Sequence, residues 1–290
     1  MSKLIITTEG FDFLIYDMRE HEIQHKQPKT NIIESPELEG QGRPVHRPFG
    51  IDVCEKYIYI ASNNKLARFD KKDFKFDSLI DVPLYINTHQ ILKDDDIFYV
   101  TNTAINNIGI YNTLTSENLF LDAATFKIDS KVPNAPADSD ILDQHHVNSL
   151  FAYEDKIYFC LHNHGKELSY YGCFDKVDYK VRHLIELGTC GHNIYIIHNM
   201  MYTLSTGSGE LYEIDLEEKK VAVFKIADPN EVFIRGLALF NNKLIIGCSV
   251  NFKTGKKQSA YLLEMNIITK QIKQFNLPDI LSINDIRLLN

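Results

Sequence analysis

The sequence predicts an all-β protein with the fold of a six-bladed β-propeller. The first observation is a repeat: an apolar strand that runs into a polar turn recurs six times, at intervals of 40 to 59 residues. The second is that three more strand-like segments follow each of the first five of these strands. The third is that the sixth such strand lies at the C-terminal end of the chain, while three strand-like segments at its N-terminal end belong to no other blade. Four strands in a period of this length are typical of propeller blades.

The first strand of each predicted blade alternates apolar residues and ends in a turn such as "EDK" or "NNK". The six first strands start at Phe49, His89, Asn148, His192, Arg235 and Asn284. The second strands are predicted at 57–62, 97–102, 157–162, 201–206 and 244–250. Third strands such as "KLARFD" and "ELYEID" follow, and then more polar fourth strands such as "FKFDSLI", as expected at an outer edge.

The sixth blade is predicted to join the two ends of the chain. Residues 284–289 supply its first strand, and residues 3–27 supply the other three. This pairing closes the ring and removes sheet edges that would otherwise be open to aggregation. We therefore expect a single domain over residues 1–290.

Two segments, residues 28–45 and 123–144, are additional to the four strands of their repeats. Both are rich in Pro, Ser, Asp, Glu and Asn. Each runs into the start of a first strand, so we expect both loops on the same face. Loops of this length are functional lids or simple decoration.

The charge balance and the apolar pattern exclude two classes of partner. Acidic residues outnumber basic ones by 39 to 31, and no Lys/Arg cluster is longer than a pair. Nucleic acid requires a basic surface, so it is not an expected partner. No stretch approaches the roughly 18 apolar residues of a membrane helix, and the first residues lack a signal-like apolar segment. We expect a cytoplasmic protein that has no membrane partner.

The cysteines predict reduced thiols rather than a disulfide framework. They are odd in number and scattered, without a C-x-x-C pair. They lie at Cys54, Cys160, Cys173, Cys190 and Cys248.

Histidines concentrate where the first strands begin, at the predicted centre of the ring. Side chains alternate along a strand, so the first residues of the six strands are expected to face the axis together. This set is Phe49, His89, Asn148, His192, Arg235 and Asn284. Two residues upstream, the same parity adds Arg47, Asn87, His146, Cys190, Phe233 and Ser282. Because strand propensity does not require imidazoles here, their concentration indicates a binding or catalytic centre.

Three interpretations of this ring stay open. In the first, His89, His146 and His192 bind one divalent metal ion, zinc or iron, and leave positions for water or substrate. In the second there is no metal, His146 or His192 acts as general acid or base, and Arg235 holds a carboxylate or phosphate. In the third, the histidines line a polar, water-filled channel and satisfy buried backbone groups.

The catalytic interpretations assign a role to each residue. We expect His146, His192 and Arg235 to be catalytic. The expected substrate-binding residues are Arg47, Asn148, Arg235 and Asn284, and the expected metal ligands are His89, His146 and His192.

His162 and His164 have the H-x-H spacing of some metal ligands, but they fall where a second strand turns into a third. We expect them to be turn residues. A loop that reaches back over the mouth would add one of them to the site. His145 is out of phase with His146 and is expected to point away from it.

Four blade segments carry a family resemblance: "HVNSL", "CGHNIYII", "STGSGELYEID" and "FIRGLALFNNKLIIGCSV". From about Arg47 onward the chain resembles an uncharacterised bacterial family of conserved hypothetical six-bladed β-propellers, within the broad NHL-repeat and gluconolactonase (regucalcin)-like group. The resemblance implies the same fold. Gluconolactonase-like enzymes bind a divalent cation through Glu, Asn and Asp in their channel. The predicted ring here lacks those acids, so their lactonase mechanism is not carried over.

The function we expect is binding and transformation of a small anionic or polyhydroxy molecule at the histidine-rich centre. The chemistry would be of the hydrolase, lyase or isomerase type, and a metal-dependent hydrolase or lyase is the version we favour. The alternative is a non-catalytic propeller scaffold that recognises a protein or peptide partner through its loop-bearing face.

Overall fold

The protein is all-β. The structure is a computed structural model, and it describes residues 3–29, 48–62, 65–80, 82, 88–130, 143–251 and 259–289. Within these ranges the regular elements are β-strands and two single-turn 3-10 helices, Thr103–Ile105 and Asn163–Gly165. The described ranges contain no helix that is long and apolar enough to cross a membrane.

The strands follow the predicted order along the chain. The first seven are β1 (Lys3–Thr7), β2 (Phe13–Asp17), β3 (Glu22–Gln27), β4 (Pro48–Val53), β5 (Tyr57–Ser62), β6 (Lys65–Asp70) and β7 (Phe76–Ile80). The next six are β8 (Thr88–Asp94), β9 (Ile97–Asn102), β10 (Asn107–Asn112), β11 (Asn118–Asp122), β12 (Ile128–Asp129) and β13 (Val147–Tyr153). They are followed by β14 (Lys156–Leu161), β15 (Ser169–Asp175), β16 (Val181–Leu187), β17 (Gly191–Ile197), β18 (Met200–Ser205), β19 (Glu210–Asp215) and β20 (Val221–Lys225). The last five are β21 (Val232–Phe240), β22 (Lys243–Val250), β23 (Tyr261–Asn266), β24 (Ile272–Asn276) and β25 (Asp285–Leu288).

These strands form six antiparallel sheets, and the predicted six-bladed β-propeller is confirmed. Five sheets are meanders of consecutive strands, which begin at β4, β8, β13, β17 and β21. The sixth has the order β25, β1, β2, β3. In it, Leu4 of β1 pairs with Leu288 of β25, and Thr7 pairs with Asp285. The predicted closure by strands from both ends of the chain is therefore confirmed.

The segment 123–144, predicted as a loop, contains a short strand, β12. Ile128 and Asp129 of β12 pair with Leu121 and Phe120 of β11, which gives this sheet a fifth, two-residue strand. Residues 30–45 and 131–142 of the two predicted long loops lie outside the described residues. Their placement on a common face stays a prediction.

The chain divides into two compact units, one of Met1–Ile80 with Lys225–Asn290 and one of Asp81–Phe224. In each unit, apolar residues of neighbouring sheets form a common core. In the second unit, for example, Tyr99 and Ile108 share a core with Leu150 and Phe159 of the next sheet. Burying each such side chain contributes about 1.5–3 kcal/mol. The prediction of a single domain over residues 1–290 stays a prediction.

A β-bulge interrupts the first strand of five sheets. The pairing shifts between Pro48 and Gly50, Thr88 and Ile91, Val147 and Ser149, His192 and Ile194, and Ile234 and Leu237. A bulge inserts an extra residue and breaks the strict alternation of side chains. Five of the six first positions predicted to face the axis, Phe49, His89, Asn148, His192 and Arg235, lie at these bulges, so simple alternation does not by itself set their orientation.

Candidate functional site

Five histidines in the unit Asp81–Phe224 form one cluster, which we call the histidine cluster: His89, His146, His162, His164 and His192. The ring centroids of His89 and His146 are 4.6 Å apart. His162 continues the series at 4.7 Å from His146 and 4.9 Å from His192. The ring of His164 lies 4.6 Å from His146 and 5.8 Å from His162. Imidazoles from three sheets are therefore in a continuous series of contacts.

The propeller brings these residues together because they lie at the same end of neighbouring sheets. His89 is in β8 and His192 is in β17, while His146 directly precedes β13. His162 directly follows β14, and His164 is in the 3-10 turn Asn163–Gly165. In an antiparallel pair, the start of one strand lies beside the end of the next, so the turn after β14 returns to the start of β13.

The segment that carries His146 is held by hydrogen bonds from two directions. The Asn106 side-chain oxygen accepts from the backbone N–H groups of His145, at 2.7 Å, and of His146, at 3.1 Å. The carbonyl groups of His146 and His145 accept from the backbone N–H groups of His162 and Asn163. These bonds support His146 in a left-handed conformation with φ of 52°, which is uncommon for a residue other than glycine.

Asp143 orients the ring of His146. The His146 Nδ1 atom lies 2.8 Å from the carboxylate oxygen Oδ2 of Asp143. A carboxylate accepts hydrogen bonds, so the neutral imidazole donates through Nδ1–H and its Nε2 is the unprotonated nitrogen. The side chain of Asp143 is 22 % exposed and that of His146 is 14 % exposed, so the pair is mostly buried but still reaches solvent.

His164 approaches the same aspartate from the neighbouring turn. Its Nε2 lies 2.5 Å from the Asp143 backbone carbonyl oxygen and 3.4 Å from Oδ2. The backbone of His164 is also left-handed, with φ of 51°. The other carboxylate oxygen of Asp143, Oδ1, is buried and has no hydrogen-bond partner among the described residues.

The buried ring of His192 is oriented from its own sheet. Its Nδ1 lies 2.9 Å from the backbone carbonyl oxygen of Cys190 and 2.9 Å from the Thr206 hydroxyl. The carbonyl can only accept, whereas the hydroxyl can donate or accept, so we assign the proton of the neutral His192 ring to Nδ1, which leaves Nε2 unprotonated.

His162 has the opposite tautomer. Its Nδ1 accepts a hydrogen bond of 3.0 Å from the backbone N–H of His164, so the neutral ring carries its proton on Nε2. His162 is buried and contacts His146 and His192. In the cluster, the Nε2 atoms of His146 and His192 are therefore hydrogen-bond acceptors, while the Nε2–H of His162 is a hydrogen-bond donor.

Asn148 serves as a link between two first strands. Its side-chain nitrogen donates to the carbonyl of Gly191 in β17 at 3.0 Å, and its oxygen accepts from the Ser149 hydroxyl at 2.9 Å. Asn148 is buried in this arrangement. Its predicted contact with substrate stays a prediction.

Arg235 and Asn284 belong to the other compact unit. The Asn284 side chain donates to the Pro48 carbonyl at 2.9 Å, which is the same type of link between first strands. The Arg235 guanidinium lies 4.5 Å from the centre of the Phe233 ring, a cation–π contact. Arg47 lies outside the described residues. The predicted roles of these three residues in binding and catalysis stay predictions.

Asp143, Asn106, His162 and His164 are the residues that the sequence interpretation did not assign to the site. Asp143 precedes His146 by three residues, but it lies in the segment 123–144 that was predicted as a loop. The H-x-H spacing was a signal for His162 and His164. They are turn residues as expected, and the turn also returns to the mouth of the blade.

One group in the described part of the chain brings three potential metal ligands close together. The ligand atoms of Asp143, His146 and His164 all lie within 4.8 Å of one another. Of the predicted ligands His89, His146 and His192, this group includes only His146. His89 is in ring contact with His146, and His192 joins the cluster through His162.

Comparisons with known proteins identify the fold. No family model and no curated protein matches the sequence. A nidogen/laminin complex matches with a TM-score of 0.71 and 9 % identity, over 100 % of this chain and 99 % of the other. A protein of unknown function from Bacteroides caccae matches with a TM-score of 0.62 and 12 % identity, over 99 % and 98 %. A catalytically inactive virginiamycin B lyase from Staphylococcus aureus, with quinupristin, matches with a TM-score of 0.53 and 17 % identity, over 80 % and 70 %. At these identities the likeness shows the β-propeller fold alone.

Proposed function

We propose that the chain binds and transforms a small anionic or polyhydroxy molecule at the histidine cluster. The observation that carries the proposal is the series of ring contacts from His89 through His146 and His162 to His192, with Asp143 hydrogen-bonded to His146. An ordinary sheet core is filled by apolar side chains. Here the rings of His162 and His192 are buried and lie beside the half-buried rings of His89 and His146.

The tautomers indicate which ligands fit. The Nε2 atoms of His146 and His192 accept hydrogen bonds from hydroxyl groups, and the Nε2–H of His162 donates to an oxyanion or hydroxyl oxygen. A polyhydroxy acid or a phosphorylated sugar offers both kinds of group. Such a molecule would use the donor and the acceptors of the cluster together.

The same groups support proton transfer. An imidazole whose Nδ1–H is held by a carboxylate is oriented and more basic, as in carboxylate–histidine pairs that act as general bases. His146 is in this arrangement with Asp143, and His192 is held by a backbone carbonyl. We propose that without a metal these two histidines are the acid and base of the reaction. When a divalent ion, zinc or iron, is bound, His146 is one of its ligands and His192 remains the acid or base.

Two resemblances are consistent with this proposal. One structural neighbour is a lyase, and the sequence resembles the NHL-repeat and gluconolactonase-like group and its uncharacterised bacterial family. We therefore propose a hydrolase, lyase or isomerase reaction. The histidine cluster, rather than either resemblance, carries the proposal.

A ligand screen tests the proposed function. Purified protein is heated with a panel of sugar acids, lactones, phosphorylated sugars and dicarboxylates, and each compound that raises the melting temperature is then followed for turnover by NMR. We expect a ligand whose effect is lost in His146→Ala and in His192→Ala but kept in His183→Ala. His183 is a matched control because its side chain is 52 % exposed on β16. A ligand that binds His146→Ala as tightly as the wild type would contradict the proposal.

A second candidate is a non-catalytic scaffold for a protein or peptide. It is favoured by the neighbour from a nidogen/laminin complex, which matches the full chain. A scaffold of this kind would keep its partner in His146→Ala and lose it through changes in 28–45 or 123–144. The proposed small-molecule site predicts the reverse.

A further inference from the structure

We infer that Asp143, His146 and His164 together bind one divalent transition-metal ion of the zinc or iron(II) class. The inference rests on the proposed function, because it names the ligands of the metal at that site. It differs from the ligand set predicted by the sequence, which combined His146 with His89 and His192.

The geometry of the three ligand atoms fits a single ion. The His146 Nδ1 and His164 Nε2 atoms lie 2.8 Å and 3.4 Å from the Asp143 Oδ2 atom, and all three ligand atoms lie within 4.8 Å of one another. Nitrogen and oxygen ligands lie about 2.0–2.2 Å from such a metal, which places neighbouring tetrahedral ligands about 3.3–3.6 Å apart. Small side-chain rotations therefore suffice to bring the three atoms around an ion.

The chemistry of the ligands selects the class of metal. Two imidazoles and one carboxylate form the protein part of many catalytic zinc sites and of the facial triads of non-haem iron. Calcium and magnesium prefer sites made of oxygen ligands, so two imidazoles make them poor occupants. With three protein ligands, the ion keeps positions for water or for an oxygen of the substrate.

A buried oxygen atom of Asp143 gives a second, independent observation. The Oδ1 atom is buried and has no hydrogen-bond partner among the described residues, although its neighbour Oδ2 is bonded to His146. Buried carboxylate oxygens are nearly always paired, because leaving one without a partner is costly. A cation beside this carboxylate would satisfy it.

Backbone hydrogen bonds hold the two ligand-bearing segments together. His162 and Asn163 donate to the carbonyl groups of His146 and His145, which ties the two segments together. Both His146 and His164 have left-handed φ angles, of 52° and 51°. The rings of both residues lie beside the Asp143 carboxylate, at 2.8 Å and 3.4 Å from Oδ2.

The positions of the other histidines argue against their being ligands of this ion. The Nδ1 of His162 already accepts from a backbone N–H. The ring of His192 is held by Cys190 and is in contact with His162. Within the described ranges, neither residue belongs to the group of close ligand atoms.

Cobalt(II) binding tests the inference directly, without a substrate. The protein is purified without a metal-affinity column and stripped with chelator. Cobalt is then added while the visible absorption of the bound ion is recorded, and zinc affinity is measured by calorimetry. We expect one equivalent to bind to the wild type. In Asp143→Asn and in His164→Ala we expect the affinity to fall about 100-fold or more.

Two further variants identify the ligand set. His192→Ala should retain the ion, because His192 is not one of the three ligands, and His183→Ala serves as the surface control. Circular dichroism and melting curves show whether each metal-free variant is folded. If Asp143→Asn is unstable, Asp143→Glu keeps the charge and should retain measurable binding.

Three outcomes would overturn the inference. If the wild type binds no cobalt or zinc, there is no metal site, while the ligand screen can still succeed and support the proposed function. If His183→Ala loses the ion, binding is a surface artefact. If His192→Ala loses the ion and His164→Ala keeps it, the metal ligands are those predicted from the sequence.

Discussion

The Asp143 carboxylate lies 2.8 Å from the His146 Nδ1 atom, although the two residues belong to a segment with no regular secondary structure. The contact is supported from outside the segment, because Asn106 accepts hydrogen bonds from the backbone of His145 and His146. Protein groups therefore hold the pair in this geometry. The predictions below follow from this arrangement and from the strands that support it.

The first prediction concerns the tautomers of the cluster. In the metal-free protein, well above the ordinary imidazole pKa of about 6.5, His146 and His192 should be protonated on Nδ1 and His162 on Nε2. The hydrogen bonds to Asp143, to the Cys190 carbonyl and from the His164 N–H require this pattern. Long-range nitrogen–proton NMR spectra distinguish the two forms. If His162 is protonated on Nδ1, the described contacts are incorrect.

The second prediction concerns Asn148 as a structural link. Asn148→Ala should lower the free energy of unfolding by about 1–3 kcal/mol, because the buried Gly191 carbonyl loses its donor. Chemical denaturation measures this change. Asn230→Ala, in an exposed turn, should change stability by less than about 0.5 kcal/mol. Equal stability of Asn148→Ala and the wild type would show that the link contributes nothing.

The third prediction concerns the close packing beneath His192. A methyl group at Gly191 would lie 2.4 Å from the Tyr171 hydroxyl and 2.8 Å from the Cys160 sulfur, both of which are buried. We expect Gly191→Ala to destabilise the fold by about 1–3 kcal/mol, since overpacking forces neighbours to move. Gly10→Ala is the matched control, because its nearest contact would be 3.9 Å. Urea unfolding of the two variants provides the comparison.

The fourth prediction concerns alkaline pH. Burial raises the pKa of the Cys248 thiol to about 12, against an ordinary value of 9.0. Because the pKa is higher in the folded state, the resulting stability is present below pH 9 and is lost as the pH rises through about 12. Unfolding free energies measured between pH 8 and pH 11 should fall with pH, and the fall should be shallower in Cys248→Ala. Identical slopes would contradict a buried, protonated thiol.

The fifth prediction concerns the accessibility of the thiols. Burial also raises the pKa of the Cys160 thiol, while Cys54 and Cys190 are half-buried. A thiol reagent at neutral pH should modify Cys54 and Cys190 first, and mass spectrometry of the digested protein shows the order. Cys160 and Cys248 should react only after unfolding, because the thiolate is the reactive form. Rapid labelling of Cys160 in the folded protein would contradict its burial.

The blade architecture could be predicted from the sequence because its signals are local and repeated. Alternation of apolar residues, polar turns and a regular period appear six times, so an error in one blade does not change the result. The closure of the last sheet could be predicted by counting strands. A blade needs four strands, β25 supplies one, and residues 3–27 contain the three that complete it. His89, His146 and His192 belong to one series of ring contacts at the start of the first strands, and their roles as site residues stay a prediction.

The tertiary structure alone decided which side chains meet there. Bulges at the first strands interrupt the alternation from which the ring was predicted, and bulges depend on cross-strand contacts that a local pattern does not record. The contacts of Asp143 and His164 with His146 depend on the turn after β14 and on Asn106, 40 residues before His146. The sequence by itself determined the blades and the place where their first strands begin. Only the folded chain, by joining segments that no periodicity relates, determined that the Asp143 carboxylate and the imidazoles of His162 and His164 complete the cluster.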